Sequence, residues 1–333
     1  MSITIKDIAR IINVSHTTVS RALNDSPLIS ESTKKRIRKI AEEYNYRPNF
    51  NARSLVLAKS YNIGLFFSTL KKGTSANFFL DAVRGVNGII KDNFSLSVEG
   101  LDDFHDFTKV IPRYFDGVIL MSQSAEDDLF INHVLKNNIP IVILNRESKK
   151  SKVTTVLADD AIGAYNATKW LIHHGHHRIG IIEGKAEFKT THRRKEGYLQ
   201  ALKDHLIPYD PTLTVKGNYD LESGYKGMHI LLKKSEIPTA VFCLNDDMAV
   251  GAMKSISEKG LKIPDDISII GFDDSIFVAY LTPALTSVSR PIEQMGAKGT
   301  KILLDMINGE HQNTETIYLR TELKIRDSVR DLR

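Results

Sequence analysis

The sequence predicts a chain of two classes: an all-α head of three small helices forming a helix-turn-helix, then an α/β body of two doubly wound, parallel-sheet lobes. Three observations carry this expectation. Residues 1–59 hold eleven Lys and Arg against five Asp and Glu, a surplus of six in a chain whose whole net charge is +5, so the body is close to neutral. Apolar residues in the head recur at helical spacing, whereas residues 60–333 alternate short apolar runs with helical patterns, the order that gives parallel sheets covered on both faces. A length of 333 residues also exceeds the roughly 100–200 usual for one domain.

Composition excludes some classes. With 42% hydrophobic and 26% charged residues, the chain is not expected to be mainly disordered. No apolar run approaches the roughly 18 residues needed to span a bilayer, and "MSITIKDIAR" lacks the apolar stretch of a secretory signal. A cytoplasmic protein without a membrane partner is therefore expected. The single cysteine, Cys243, lies in the apolar run "TAVFCLND" and reads as a buried structural thiol.

In the head, Thr4 caps a first helix, with Asp7 three residues later in a capping-box arrangement. Ile8, Ala9 and Ile12 then share one face. Asn13 and Val14 make the turn, and Ser15 caps a second helix reaching Leu23, with Val19 and Leu23 turned inward. Ser30 caps a third, in which Ile37, Ile40, Ala41 and Tyr44 fall at helical spacing. His16 and Thr17 occupy the first turn of the second helix and Arg21 lies four residues beyond Thr17, side chains suited to base edges in a major groove. Ser15, Thr18 and Asn24 are placed to bond phosphates, and Thr4 joins them as a DNA contact. A basic head on a neutral body points to double-stranded DNA as a partner.

"RPNFNARSLVLAKS", residues 47–60, follows. It is too short to hold a helix alone, since isolated helices below about 12 residues are marginal in water. Asn49 opens the pattern, and Ala52 and Leu55 lie three apart, opposite Arg53. An apolar side chain beside a DNA-binding head can wedge between base steps of the minor groove. Residues 49–57 are therefore expected to be helical only on DNA.

The body's apolar runs are "NIGLFF", "FDGVILMS", "PIVILN", "RIGIIEG", "TAVFCLN" and "DISIIGF", with helical patterns at 77–91, 126–137, 160–174, 192–204, 221–234 and 246–259. Open α/β sheets bind ligands beyond the carboxyl ends of their strands. Those ends carry Ser68, Gln123, Asn145 with Arg146, Glu183, Asn245 with Asp246, and Asp273 with Asp274. Amides, carboxylates and arginine can bond paired hydroxyls, so the lining reads as one for a polyol. Asn245 and Asp246 have a plainer reading as caps of the next helix, Asp246 foremost. "HHGHHR", residues 173–178, looks like a metal cluster but lacks a fixed ligand geometry, and His174 with Gly175 more simply ends a helix. Trp170 reads as core. No phosphate-cradling glycine loop and no nucleophile elbow appear, so neither catalysis nor a cofactor is expected.

Three phrases, "IKDIARIINVSHTTVSRALND", "YNYRPNFNARSLVLAKS" and "IIGFDDSIFVAYLTPALTSV", resemble the LacI/GalR family of transcription regulators, and the resemblance runs over essentially the full length. It implies a periplasmic-binding-protein-like body and a sequence-specific repressor controlled by a small-molecule effector held between the lobes. It implies a homodimer, with a tetramer left open, whose paired hinge helices insert Leu55 at the centre of a pseudo-palindromic operator. The effector is expected to be a sugar or sugar derivative, with a purine as the alternative that the family also binds. Carried over residue by residue, the resemblance puts Arg194, Asp273 and Asn245 in the cleft, with Phe78, Asn145, Thr190, Tyr219 and Arg290 at further contact positions. Its implied division is a DNA-binding domain at 1–47, a hinge helix at 48–59, a first lobe from 60–159 with 286–319, and a second lobe from 160–285 with 320–333. Two departures stand out: Asn77 meets Phe78 without an intervening proline after "KKGTSA", and the crossover before "FDGVIL" is short, abbreviating its helix to 104–111. A stand-alone sugar receptor would lack the basic head, and a sugar-modifying enzyme would need a catalytic group that the sequence does not offer.

Overall fold

The structure is a computed structural model and describes residues 3–23, 26–44, 46, 59–71, 73–104, 106–147, 153–311 and 313–333. Asn24 and the segment 47–58, with Asn49, Ala52, Leu55 and the expected hinge helix, lie outside the described residues. The chain separates into two compact units, Met1–Ser60 and Tyr61–Arg333.

The described head holds three helices: α1 (Ile5–Ile12), α2 (His16–Leu23) and α3 (Glu31–Glu43). Thr4 and Asp7 form the reciprocal capping box, and Asn13 closes α1 in the left-handed conformation at φ 60°. Ser15 Oγ accepts the backbone N–H of Thr18 at 3.0 Å and so caps α2, while Ser30 Oγ accepts from Thr33 N at 3.4 Å at the start of α3. Ile8, Ala9, Ile12, Val19, Ala22, Ile37 and Ala41 form the shared core. Tyr44 is no part of it. It is the C-terminal cap of α3 and is exposed, because the helical face ends one residue earlier.

Among the described residues, two six-stranded sheets build the body. The first lobe contains β1 (Asn62–Phe67), α4 (Ala76–Ile90), β2 (Ser95–Gly100), β3 (Gly117–Met121), α5 (Asp128–Lys136), β4 (Ile141–Leu144) and β5 (Thr155–Ala158). In the second lobe α6 (Asp160–His173), β6 (Ile179–Ile182), α7 (Lys189–Asp204), β7 (Thr214–Val215), α8 (Leu221–Leu231), β8 (Ala240–Cys243), α9 (Asp246–Glu258), β9 (Ser268–Asp273) and β10 (Thr286–Ser289) follow. The chain then returns for α10 (Ile292–Ile307) and β11 (Thr316–Leu319) and ends with β12 (Glu322–Lys324). Strand order is β11-β5-β4-β3-β1-β2 in the first sheet and β12-β10-β9-β8-β6-β7 in the second. All pairings are parallel except β12 on β10. The central strands are buried on both faces, which is why they read as continuous apolar runs rather than alternating ones.

Two boundaries differ from the sequence reading. Thr286–Ser289 pairs with β9, so the return to the first lobe comes after Ser289 rather than at residue 286. Between β2 and β3 the described residues hold only a single 3₁₀ turn, Phe107–Lys109, where a helix over 104–111 is expected. Aromatic side chains cover that face of the sheet instead: the Phe66 ring lies 4.7 Å from that of Phe130 and 5.5 Å from that of Phe104, centroid to centroid. Such contacts bury much apolar area without a regular element. The 126–137 pattern also begins as a 3₁₀ turn, Ala125–Asp127, before α5.

Candidate functional site

His16, Thr17 and Arg21 are exposed on α2, three side chains on the outer surface of the head. Thr4 and Ser15 are exposed too, but their hydroxyls already work in the caps: Thr4 Oγ1 lies 2.6 Å from Asp7 Oδ2 and Ser15 Oγ 2.9 Å from Thr18 Oγ1. The hydrogen bonds from Thr4 hold the Asp7 carboxyl below its ordinary pKa. The acidic group of the first turn therefore stays ionised and complements the helix dipole.

In the body, a polar cleft lies beyond the carboxyl ends of the strands, a space of about 310 Å³ that includes open solvent. It is lined by Gly73, Ser75, Phe78, Gln123 and Asn145 of the first lobe and by Thr190, Arg194, Tyr219, Asn245 and Asp273 of the second, with Arg290 on the crossover between them. The eight body residues that the family resemblance puts at contact positions are all among these, and so is Gln123 of the strand ends.

Its floor is an ionic cluster. Arg290 grips Asp160 with Nε on Oδ1 at 2.8 Å and Nη2 on Oδ2 at 3.2 Å, and the same Nη2 donates to Asn145 Oδ1 at 2.6 Å. Arg194 Nη2 donates to Asp273 Oδ1 at 3.3 Å, its Nη1 bonds the Leu244 carbonyl, and its Nε lies 3.7 Å from Asp160 Oδ2 without a hydrogen bond of its own. Two buried guanidiniums are thus matched by the buried carboxylate of Asp160 and the part-exposed one of Asp273, the pairing under which buried charges persist. Burial nevertheless pushes the Asp273 carboxyl above its ordinary pKa, although Arg194 and Arg290 pull the other way. The Arg194 guanidinium stacks 3.9 Å from the Phe272 ring centroid and that of Arg290 lies 5.7 Å from the Phe78 ring.

Aromatic faces and amides complete the walls. Tyr219 stacks on Phe188 at 5.9 Å and its hydroxyl bonds Thr191 Oγ1 at 2.7 Å, so it is at once a packed aromatic and a cavity wall. Gly184 leaves the room it needs: a Cβ there would lie 2.0 Å from the Tyr219 ring. Phe78 likewise packs on Phe67, 6.4 Å between centroids, while facing the cavity. Asn145, Tyr219 and Asp273 hold φ of 70°, 62° and 109°, left-handed conformations that non-glycine residues rarely adopt and that cluster at functional sites.

Several strand-end residues serve the scaffold rather than the cavity. Ser68 donates to Asp127, Arg146 pairs with Asp128, Glu183 with Lys195 at 2.7 Å and Asp274 with Arg326 at 2.6 Å. Asp246 does not cap α9. The cap is Asn245, whose Oδ1 accepts from Met248 N at 3.0 Å, while Asp246 is buried and accepts from Ser275 N at 2.7 Å and Ser287 Oγ at 2.6 Å. Burial and the nearby Asp273 raise its carboxyl pKa well above the ordinary value. Sequence reasoning missed Asp160, because an Asp in the first turn of a helix ordinarily suggests only a dipole contact. Gly73 and Ser75 were missed as well: the "KKGTSA" loop stood out as a departure from the family, but nothing in it marked these two residues as cavity lining. His176 of the histidine run is buried, with Nδ1 3.0 Å from Thr239 Oγ1 and Nε2 3.1 Å from the Arg330 carbonyl oxygen. His174 caps α6, Trp170 packs part-buried against the core, and Cys243 is fully buried, its thiol pKa driven up by burial.

Residues 4–49 match the model of bacterial regulatory proteins of the lacI family, and residues 168–329 match that of a periplasmic binding protein-like domain. The chain is 51% identical over 330 residues to the probable HTH-type transcriptional repressor ExuR of Bacillus subtilis, covering 99% of both chains. It is 33% identical to the ribose operon repressor of Haemophilus influenzae, again over 99% of both. Among solved structures, the transcriptional regulator CelR in complex with cellobiose superposes with a TM-score of 0.76 at 27% identity, covering 98% of this chain and 99% of that one. Head, body and full-length identity to known repressors agree: the chain belongs to the LacI family of bacterial transcriptional regulators.

Proposed function

We propose that this regulator is a cytoplasmic homodimeric repressor whose operator affinity is set by a sugar or sugar derivative bound in the body cavity. One observation carries the reading. A single small cavity gathers two arginines, an aspartate and two asparagines around the faces of Phe78 and Tyr219. Carboxylates and amides bond the hydroxyls of a sugar edge, while aromatic rings cover its apolar faces. The ribose operon repressor among the relatives and the cellobiose complex among the solved structures favour this class over purines.

In this reading Phe78, Asn145, Thr190, Arg194, Tyr219, Asn245, Asp273 and Arg290 contact the effector. His16, Thr17 and Arg21 read base edges, and Thr4, Ser15, Thr18 and Asn24 hold the backbone. Asn49, Ala52 and Leu55 act at the minor groove, where Leu55 wedges the central step. Lobe closure on the effector changes how the two hinge segments of a dimer meet DNA, through a coupling of about 1–3 kcal/mol.

A thermal-shift screen of sugars against the wild type and Arg194→Ala tests the site. The expected outcome is a shift with at least one sugar that the variant loses. A shift retained in full by Arg194→Ala would show that the ligand sits elsewhere. Duplex binding that weakens steeply with salt, as counterion release requires, tests the DNA half.

A further inference from the structure

The two walls of the cavity are joined at one backbone bond. Resting on the reading of the cavity as an effector site, the inference concerns that bond and the side chain beside it. α7 carries Thr190 and Arg194 and begins after Phe188, which supplies no side-chain capping bond. The first N–H groups of a helix have no partner within it. Here the Lys189 N–H donates at 3.0 Å to the carbonyl oxygen of Gln123, at the end of β3 in the opposite lobe. Gln123 is itself fixed, since its N–H donates to Ser68 Oγ at 2.7 Å and to Asp127 Oδ2 at 3.2 Å. Gly73 reinforces the same seam: a Cβ there would come within 3.0 Å of Lys185 Cε and 3.1 Å of Phe188 Cε2.

The side chain of Gln123 is buried yet poorly engaged. Its Nε2 is 3.5 Å from the Gly73 carbonyl oxygen and its Oε1 is 3.5 Å from Thr74 Oγ1, both at the outer limit of hydrogen bonding. The Thr74 hydroxyl proton is already directed to the Thr69 carbonyl at 2.7 Å. An amide with donors and acceptors to spare thus faces a polar cavity.

We propose that Gln123 is a closure-linked specificity residue: its carbonyl caps α7 from the opposite lobe, and its side-chain amide bonds a ligand hydroxyl while that cap is made. A hydroxyl both donates and accepts, as the amide does, whereas a carboxylate only accepts and an ammonium only donates. The ligand is thereby sensed at the point where the lobes meet, and recognition and closure become one event.

Two substitutions separate the parts. Lys189→Pro deletes the N–H at the first helical position, where proline is tolerated, and Phe188 already holds the extended φ −84°, ψ 128° that a residue before proline requires. Lys189→Ala keeps the N–H. Hydrogen exchange of the full-length protein, read by mass spectrometry over residues 186–196, should accelerate about tenfold in Lys189→Pro relative to wild type and Lys189→Ala. Gln123→Ala should leave that exchange unchanged but weaken the best binder among D-ribose, D-glucose and cellobiose about tenfold and change their ranking. Wild-type exchange in Lys189→Pro overturns the cap. Unchanged constants and ranking in Gln123→Ala overturn the amide's role. Should none of the three sugars bind the wild type, the sugar reading fails and the amide's role with it, while the exchange result still decides the cap.

Discussion

Replacing Asp160 by Asn removes the charge that the whole cavity floor is built around. Asp160 and Arg290 are buried to within a few per cent of full enclosure and share two bonds of 2.8 and 3.2 Å, with Arg194 as a second cation 3.7 Å away. Each net hydrogen bond to a charged group contributes about 1.5–3 kcal/mol, and breaking a buried pair from one side costs about 3–5 kcal/mol. Asparagine keeps one acceptor oxygen but leaves two guanidiniums facing Asp273 alone, so a loss of about 3 kcal/mol is expected. Trp170, the single tryptophan, lies on α6 together with Asp160, and its fluorescence during urea unfolding reports that lobe. Combining Asp160→Asn with Arg290→Gln should cost clearly less than the two single losses added, since the pair acts as a unit. A loss under about 0.5 kcal/mol, the range of ordinary surface substitutions, or strict additivity would refute the cluster as an energetic unit.

Further outcomes follow from other parts of the body. Asp247, in the first turn of α9, has its carboxyl pKa raised to about 6 by burial first, then by Asp273 and Asp220. The folded chain therefore binds this proton more tightly than the unfolded chain, and stability falls as pH rises from about 4 through 6. Asp247→Asn should raise the melting temperature at pH 8 and change it little at pH 4; an equal effect at both would contradict the assignment. Gly251 lets α9 lie against α8, for a Cβ there would sit 2.0 Å from the Leu221 carbonyl oxygen. Gly251→Ala should therefore cost at least the roughly 1–3 kcal/mol of overpacking, and an unchanged urea midpoint would show that the helices slide apart freely. Thr4→Ala, which breaks the reciprocal cap of α1, should lower the stability of the head by about 1 kcal/mol, measured by its own unfolding transition.

Local chemistry was legible wherever neighbours in sequence decide it. The Thr4 and Asp7 box, the Asn13 turn and the Ser30 cap could be read because each depends on residues no more than four apart. The buried central strands showed as apolar runs. Short edge strands did not: β7 and β12 have two and three residues, part exposed, and no apolar stretch to betray them. β10 was placed in the wrong lobe because "TSVS" carries no sign of which sheet will pair with it. Asp160 illustrates the deeper limit. Its burial and its two arginines come from residues 34 and 130 positions away, and only the juxtaposition of two lobes gives the residue its role. The family resemblance found Arg194, Asp273 and Arg290 without their anchor, since it transfers positions but not the electrostatic balance that makes them tolerable.

The most direct test measures DNA affinity with and without ligand. A duplex selected by the wild-type protein from a random pool is titrated by fluorescence anisotropy with D-ribose, D-glucose or cellobiose present, for wild type and Asp273→Asn. At least one sugar should move wild-type affinity about fivefold or more, matching a coupling of about 1 kcal/mol or greater, and should leave Asp273→Asn unmoved. Sugar binding in the cavity that leaves wild-type DNA affinity the same would contradict the account.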